Sequence, residues 1–105
     1  MNADTSRPVA VVTGAARGIG KAIARWFLAR GQCVALIDID LHTLNECAEE
    51  LGAEYGERVL AIHGDVSDGA AVQAAMARVD QAFGRIDALV NNAGVAVFKP
   101  AADTS

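Results

Sequence analysis

The stretch R-P-V-A-V-V-T-G-A-A-R-G-I-G, ending at Gly20, constrains this chain more than any other. A valine-rich apolar run (Val9, Val11, Val12) meets Thr13 and Gly14, then Gly18 and Gly20, then a helical pattern. The pattern predicts a buried strand, a tight glycine turn, and a helix whose first turn faces open space. Unpaired N–H groups at a helix start, aided by the helix dipole, are suited to an anion. Glycines let a pyrophosphate approach the backbone where a Cβ would block it, and a third glycine lets the helix pack tightly on the strand. Glycines alone are common in loops. Here they have a strand before, a helix after, and an acidic residue, Asp38, closing the next apolar run, which is the context a dinucleotide site requires.

The spacing is T-G-x-x-x-G-x-G, wider at its first gap than the common G-x-G-x-x-G fingerprint. With Asn91-Asn92-Ala93-Gly94 and the pair Asp65-Val66 in the expected order, the chain resembles the short-chain dehydrogenase/reductase family over essentially its whole length. The resemblance implies hydride transfer between a nicotinamide cofactor and an alcohol or ketone carbon.

The remaining chain alternates. Strands are predicted at 9–13, 33–37, 58–63 and 86–90, and helices at about 17–30 and 41–54, with a third capped by Ser67 or Asp68. Gly31 and Gly84 end the first and third helices. The expected apolar faces are Ile19, Ile23, Trp26 and Phe27 on the first helix and Leu41, Leu44, Ala48 and Leu51 on the second. Those on the third are Val72, Met76, Val79 and Phe83. A βαβαβαβ alternation demands a mostly parallel sheet with right-handed crossovers. The fold class is therefore α/β, and if, as the resemblance implies, this is the first half of a Rossmann-type doubly wound parallel sheet, the strand order is 3-2-1-4. Thr13, Asp38, Asp65 and Asn91 then share the carboxyl edge of the sheet. Residues 1–7 read as a disordered leader and residues 8–105 as an NAD(P)-binding Rossmann domain that is incomplete, the family's C-terminal half being absent.

Each candidate has a structural alternative. Gly14, Gly18 and Gly20 form the pyrophosphate loop, and Ile19 contributes a backbone N–H while its side chain faces the sheet. Asp38 accepts hydrogen bonds from the adenosine ribose hydroxyls or caps the second helix, a role Asp40 fills better. Arg17, just before the second glycine, resembles the pattern of NADP-preferring members or is a solvated helix-start residue. A buried carboxylate facing a phosphate costs more than one exposed arginine offsets, so NAD is expected over NADP. By resemblance, Asp65 and Val66 meet the adenine; otherwise Asp65 is a turn residue. Asn91, Ala93 and Gly94 close the fourth strand beside the cofactor ribose, the paired amides also bonding backbone across neighbouring strand ends. Lys99 and Pro100 edge the cofactor or substrate cleft or, on the favoured reading, lie in a solvated loop.

No catalytic side chain is expected among these residues. The family's Y-x-x-x-K pair would lie beyond Ser105, and Tyr55 has valine, not lysine, four positions on. The chain alone is thus expected to be inactive, the cofactor-binding part of a longer enzyme, with A-A-D-T-S reading as the start of a further helix. The alternative is a self-contained, non-catalytic NAD-binding module, in which the fourth strand would leave an apolar edge needing cover.

Charge and composition narrow the rest. A net charge of −4 gives no basic footprint for nucleic acid. No apolar run has membrane-spanning length, and the start carries no apolar signal core. Cys33 and Cys47 read as buried hydrophobes rather than a disulfide or metal site, and His42 and His63 are too far apart for a ligand cluster. A cytoplasmic location fits the pI of 4.9. A homo-oligomer, tetramer or dimer, is implied by resemblance alone, and the substrate is unspecified.

Overall fold

In the computed structural model, residues 7–92 are described. The first strand, β1 (Val9–Thr13), is entirely buried, and its side chains alternate between two faces. It pairs in parallel with β2 (Cys33–Asp38) on one side and with β4 (Ala88–Asn91) on the other. Next to β2 lies β3 (Val59–His63), so the order is β3-β2-β1-β4, as the Rossmann reading expects. Helices α1 (Gly18–Ala29) and α2 (Leu41–Tyr55) follow β1 and β2, a 3-10 turn spans Gly56–Arg58, and α3 (Gly69–Phe83) precedes β4.

Ala10, Val12, Val34 and Leu36 pack with Ala24 and Leu28 of α1 and Leu44, Cys47 and Leu51 of α2. Val9, Val11, Ala35 and Ile37 pack on the other face with Ala75, Val79 and Phe83 of α3. Covering on both faces is why β1 and β2 read as unbroken apolar runs. The chain turns back from β3 to β4 across two strands, so the carboxyl ends of β1 and β4 form a topological switch point, where open α/β sheets bind ligands.

Two helical faces differ from the sequence expectation. The buried seam of α1 is Gly20, Ala24 and Leu28, with Ile23 and Phe27 only partly buried. Ile19 is 71% exposed and Trp26 50% exposed. The start of the helix rides on its smallest residues, Gly20 and Ala24, which let it approach the sheet closely, while Ile19 and Trp26 are turned outward. Arg30 lies 3.7 Å over the Trp26 ring, a cation–π contact that shields part of it. On α2, Leu41 is likewise exposed and Cys47 occupies the core instead.

The helix ends are tied down across the fold. Gly31 (φ 86°) and Gly84 (φ 77°) follow α1 and α3 in the left-handed region, where a glycine carries no Cβ penalty. Arg58 Nη1 donates to the carbonyls of Leu28 (3.1 Å) and Gln32 (3.0 Å). Arg7, grouped with the leader on sequence grounds, donates to the Gly31 carbonyl at 2.6 Å, so it is anchored to the domain. Residues 1–6 lie outside the described residues.

Asp87 fastens the start of β1. Its Oδ2 accepts from the Val9 N–H at 2.8 Å, and Arg85 pairs with both of its oxygens. The Arg85 guanidinium, then the Val9 N–H, hold the Asp87 carboxyl below its ordinary value of 3.8. A carboxyl lowered on folding stabilises the fold fully above its unfolded value, and that contribution is lost as pH falls through the lower folded value. Asp87→Asn is expected to weaken the fold at neutral pH and to flatten the acid limb of stability below about pH 4. Urea midpoints followed from pH 7 downward test this, and profiles that run parallel for both proteins would contradict it.

Candidate functional site

A cleft of about 760 Å³ opens along the carboxyl ends of the strands. Among the predicted site residues, Gly14, Arg17, Asp38, Asp65, Val66 and Asn91 line it. A smaller apolar hollow of about 200 Å³ adjoins it and shares Asp65, Val66 and Asn91. Gly18 lies on the outer side of α1, Gly20 beneath the loop, and Ile19 projects into solvent rather than toward the sheet. Ala93, Gly94, Lys99, Pro100 and residues 103–105 lie outside the described residues.

The glycine loop is built by conformation and by space. Gly14 (φ 61°) and Gly18 (φ 59°) take left-handed backbone that L-residues adopt at a cost. Gly20 has no such φ, but a Cβ there would overlap the Gly14 carbonyl oxygen and stand 2.8 Å from Asn92 Nδ2. The Asn92 amide itself donates to the Gly14 carbonyl at 3.1 Å. Thr13, buried at the end of β1, donates through Oγ1 to Asn91 Oδ1 at 3.0 Å. Asn92 therefore braces the glycine turn through backbone, as expected of the pair, whereas Asn91 meets β1 through the Thr13 side chain. The Cys47 thiol, pushed up by burial, lies 3.6 Å from the Ala15 carbonyl from below.

The three helices begin differently. Asp40 caps α2 by accepting from Thr43 N at 3.2 Å, and Asp68 caps α3 by accepting from Ala70 N at 3.0 Å. The first turn of α1 has no side-chain cap and no acidic residue. Its first intrahelical bond is from Lys21 N to the Arg17 carbonyl, so the amides of residues 18–20 precede any intrahelical acceptor. This is an N-terminus left open to an anion.

Asp38 is half-buried rather than buried, and both of its oxygens are engaged. Oδ2 accepts from Ala16 N and Oδ1 from Asp40 N, each at 3.0 Å. The two amides fix the carboxylate between the glycine loop and the entrance to α2 and leave its remaining lone pairs available. Asp38 is therefore not the helix cap. Asp65 Oδ1 accepts from the Ser67 hydroxyl (2.7 Å) and amide (2.9 Å), which hold its carboxyl below the usual range. Of the two cap candidates for α3, Asp68 takes the role and Ser67 serves Asp65. Sequence reasoning missed the Ala16 amide, because no residue type marks a backbone donor.

Among the described residues, no group of three or more His, Cys, Asp or Glu is arranged to hold a metal, and no helix is long and apolar enough to cross a membrane.

A parallel 3-2-1-4 sheet with an uncapped glycine-turn helix at its switch point defines a doubly wound, Rossmann-like α/β protein. The family model for short chain dehydrogenases matches residues 8–105, and the chain belongs to that family. It is 49% identical over 87 residues to 2-(R)-hydroxypropyl-CoM dehydrogenase of Xanthobacter autotrophicus, covering 83% of this chain and 35% of that protein. It is 47% identical over 98 residues to D-threitol dehydrogenase of Mycolicibacterium smegmatis, covering 92% and 37%. The chain thus spans about a third of the length of these curated relatives. L-sorbose reductase from Gluconobacter frateurii, solved with NADPH and L-sorbose, superposes with a TM-score of 0.80 at 36% identity, over 100% of this chain and 40% of that one. A short chain dehydrogenase/reductase from Burkholderia phymatum, solved with NAD, gives 0.76 at 36% identity, over 79% and 29%.

Proposed function

We propose that this chain supplies the dinucleotide-binding part, residues 8–105, of an NAD-dependent short-chain oxidoreductase acting on an alcohol or ketone. The observation that carries the reading is the α1 N-terminus. It alone of the three described helices lacks a side-chain cap, and it opens beside the cleft after two left-handed glycines. Those amides would hold the pyrophosphate, with Gly14 and Gly18 shaping the turn, Gly20 seating the helix on it, and the Ile19 amide among the donors. Asp38 would accept from the adenosine ribose hydroxyls, Asp65 and Val66 would border the adenine, and Asn91, Ala93 and Gly94 the nicotinamide ribose. When bound, the nicotinamide supplies the hydride donor or acceptor. This chain's residues bind and orient it, and none of them is proposed as the general acid or base. NAD is favoured over NADP because a fixed carboxylate, Asp38, repels a 2′-phosphate. Cytoplasmic location and homo-oligomeric assembly, as dimer or tetramer, belong to the same reading, on family likeness.

Titration of the full chain with NADH, followed by energy transfer from Trp26, tests this reading. Saturable transfer is expected, with NADH binding at least about tenfold more tightly than NADPH, the scale of one charge-assisted hydrogen bond. No saturable binding of either dinucleotide would overturn it.

A further inference from the structure

Arg17 is the one feature of the cleft that argues for a phosphorylated cofactor, and its guanidinium is not left to solvent alone. Its Nη2 donates to Asp40 Oδ2 at 3.2 Å. The same oxygen accepts from Thr43 Oγ1 at 2.9 Å, while Oδ1 accepts from Thr43 N at 3.2 Å. The Asp40 carboxylate is thus fixed at the start of α2 by the cap, and it meets Arg17 across the mouth of the cleft. Its backbone amide in turn holds Asp38. A guanidinium beside an open helix N-terminus is a phosphate-binding pair. Here an internal carboxylate has taken the guanidinium, while the α1 N-terminus stays uncapped.

We propose that Asp40 is a specificity-determining, positioning residue: acting through Arg17, it occupies with its own carboxylate the guanidinium that a 2′-phosphate would need. The inference rests on the dinucleotide reading above and extends it. Asp38 repels the phosphate directly, and Asp40 removes the counter-charge that would compensate. The Thr43 bonds, with Arg17, hold the Asp40 carboxyl low, so the charge persists through the neutral range. The side chains are 71% and 37% exposed, so the pair itself is weak. What matters is a fixed negative charge beside the only arginine lining the cleft among the described residues.

The test uses Asp40→Asn, because asparagine also caps helices well and keeps an acceptor for Thr43 N. NADPH and NADH affinities are measured in the full chain for Asp38→Ala, for Asp38→Ala with Asp40→Asn, and for both again with Arg17→Gln. The Asp40→Asn step is expected to tighten NADPH by about three- to fivefold when Arg17 is present, the upper part of the scale of a surface charge pair. It should change NADH by less than about twofold and give no NADPH gain in the Arg17→Gln background, since an unphosphorylated ribose offers no charge to pair. The gain should shrink as salt screens it. Asp40→Ser, another good cap, should reproduce it. A gain that is absent, equal for both dinucleotides, or independent of Arg17 would overturn the inference while leaving the dinucleotide site standing. A parent chain that binds neither dinucleotide would remove the underlying reading, and the inference with it.

Discussion

Gly20→Ala is expected to be the most damaging single methyl in this chain. A Cβ at that position would overlap the Gly14 carbonyl oxygen and crowd Asn92 Nδ2. Neither is the loose end of a flexible side chain. The Gly14 carbonyl belongs to the turn that aims the loop, and the Asn92 amide is already bonded to it. Relief requires α1 to lift from β1, which opens the seam of Ala24 and Leu28, both fully buried. Overpacking a tight core contact costs about 1–3 kcal/mol, and a backbone obstacle puts this site at the upper end or beyond. Dinucleotide affinity should fall by about 100-fold or more, because a displaced helix start misaligns every amide it presents. Two other glycines separate space from conformation. Gly18→Ala meets nothing within 4 Å but forces a side chain into φ +59°, a cost of about 1–2 kcal/mol. Gly52→Ala, in the last turn of α2 with open space around it, should stabilise by about 0.5–1 kcal/mol. Thermal melts and NADH titrations of the three variants check the ranking. A Gly20→Ala protein that melts and binds as its parent does would refute the close-packing account.

The second large effect is expected at Asp38. Asp38→Ala removes the acceptor for two backbone amides, those of Ala16 and Asp40, and the carboxylate proposed to meet the ribose. Loss of a charged acceptor is worth about 1.5–3 kcal/mol, so NADH affinity should fall by about 10- to 100-fold. NADPH affinity should hold or rise, since the repulsion is gone. The ratio of the two is therefore the informative quantity, and it should move toward NADPH by at least about tenfold. Asp38→Asn should lie between, because the amide keeps one acceptor oxygen and loses the charge. A ratio that does not move would remove Asp38 from cofactor recognition and leave it as a brace between the glycine loop and α2.

The sequence was most legible where local chemistry and period agree. The boundaries of β1, the stops at Gly31 and Gly84 and the Asp40 cap follow from residue types whose physics is local. The parallel sheet also followed, from alternating strands and helices with right-handed crossovers, whereas the order 3-2-1-4 came with the Rossmann resemblance. It was least legible on the faces of α1. Ile19 and Trp26 look like core by size, yet Gly20, Ala24 and Leu28 form the buried seam. An apolar period cannot tell a close-packed small-residue seam from a large-residue one, since the choice depends on how near the helix axis must come. Similarly, sequence offered both Ser67 and Asp68 as the cap of α3, and only the turn made by Asp65 separates them.

What the sequence determined by itself was the kind of site: glycines before a helix start, an acid at the end of the next strand, and amides at the end of the fourth. These residue types carry their function wherever the backbone holds them. The tertiary structure decided which groups meet. Asn92 reaches Gly14 from 78 positions away, Ala16 holds Asp38 from 22, and Asp40 takes Arg17 from 23. Such pairings arise from strand register and crossover, which bring distant backbone to one edge of the sheet, and no local propensity encodes them.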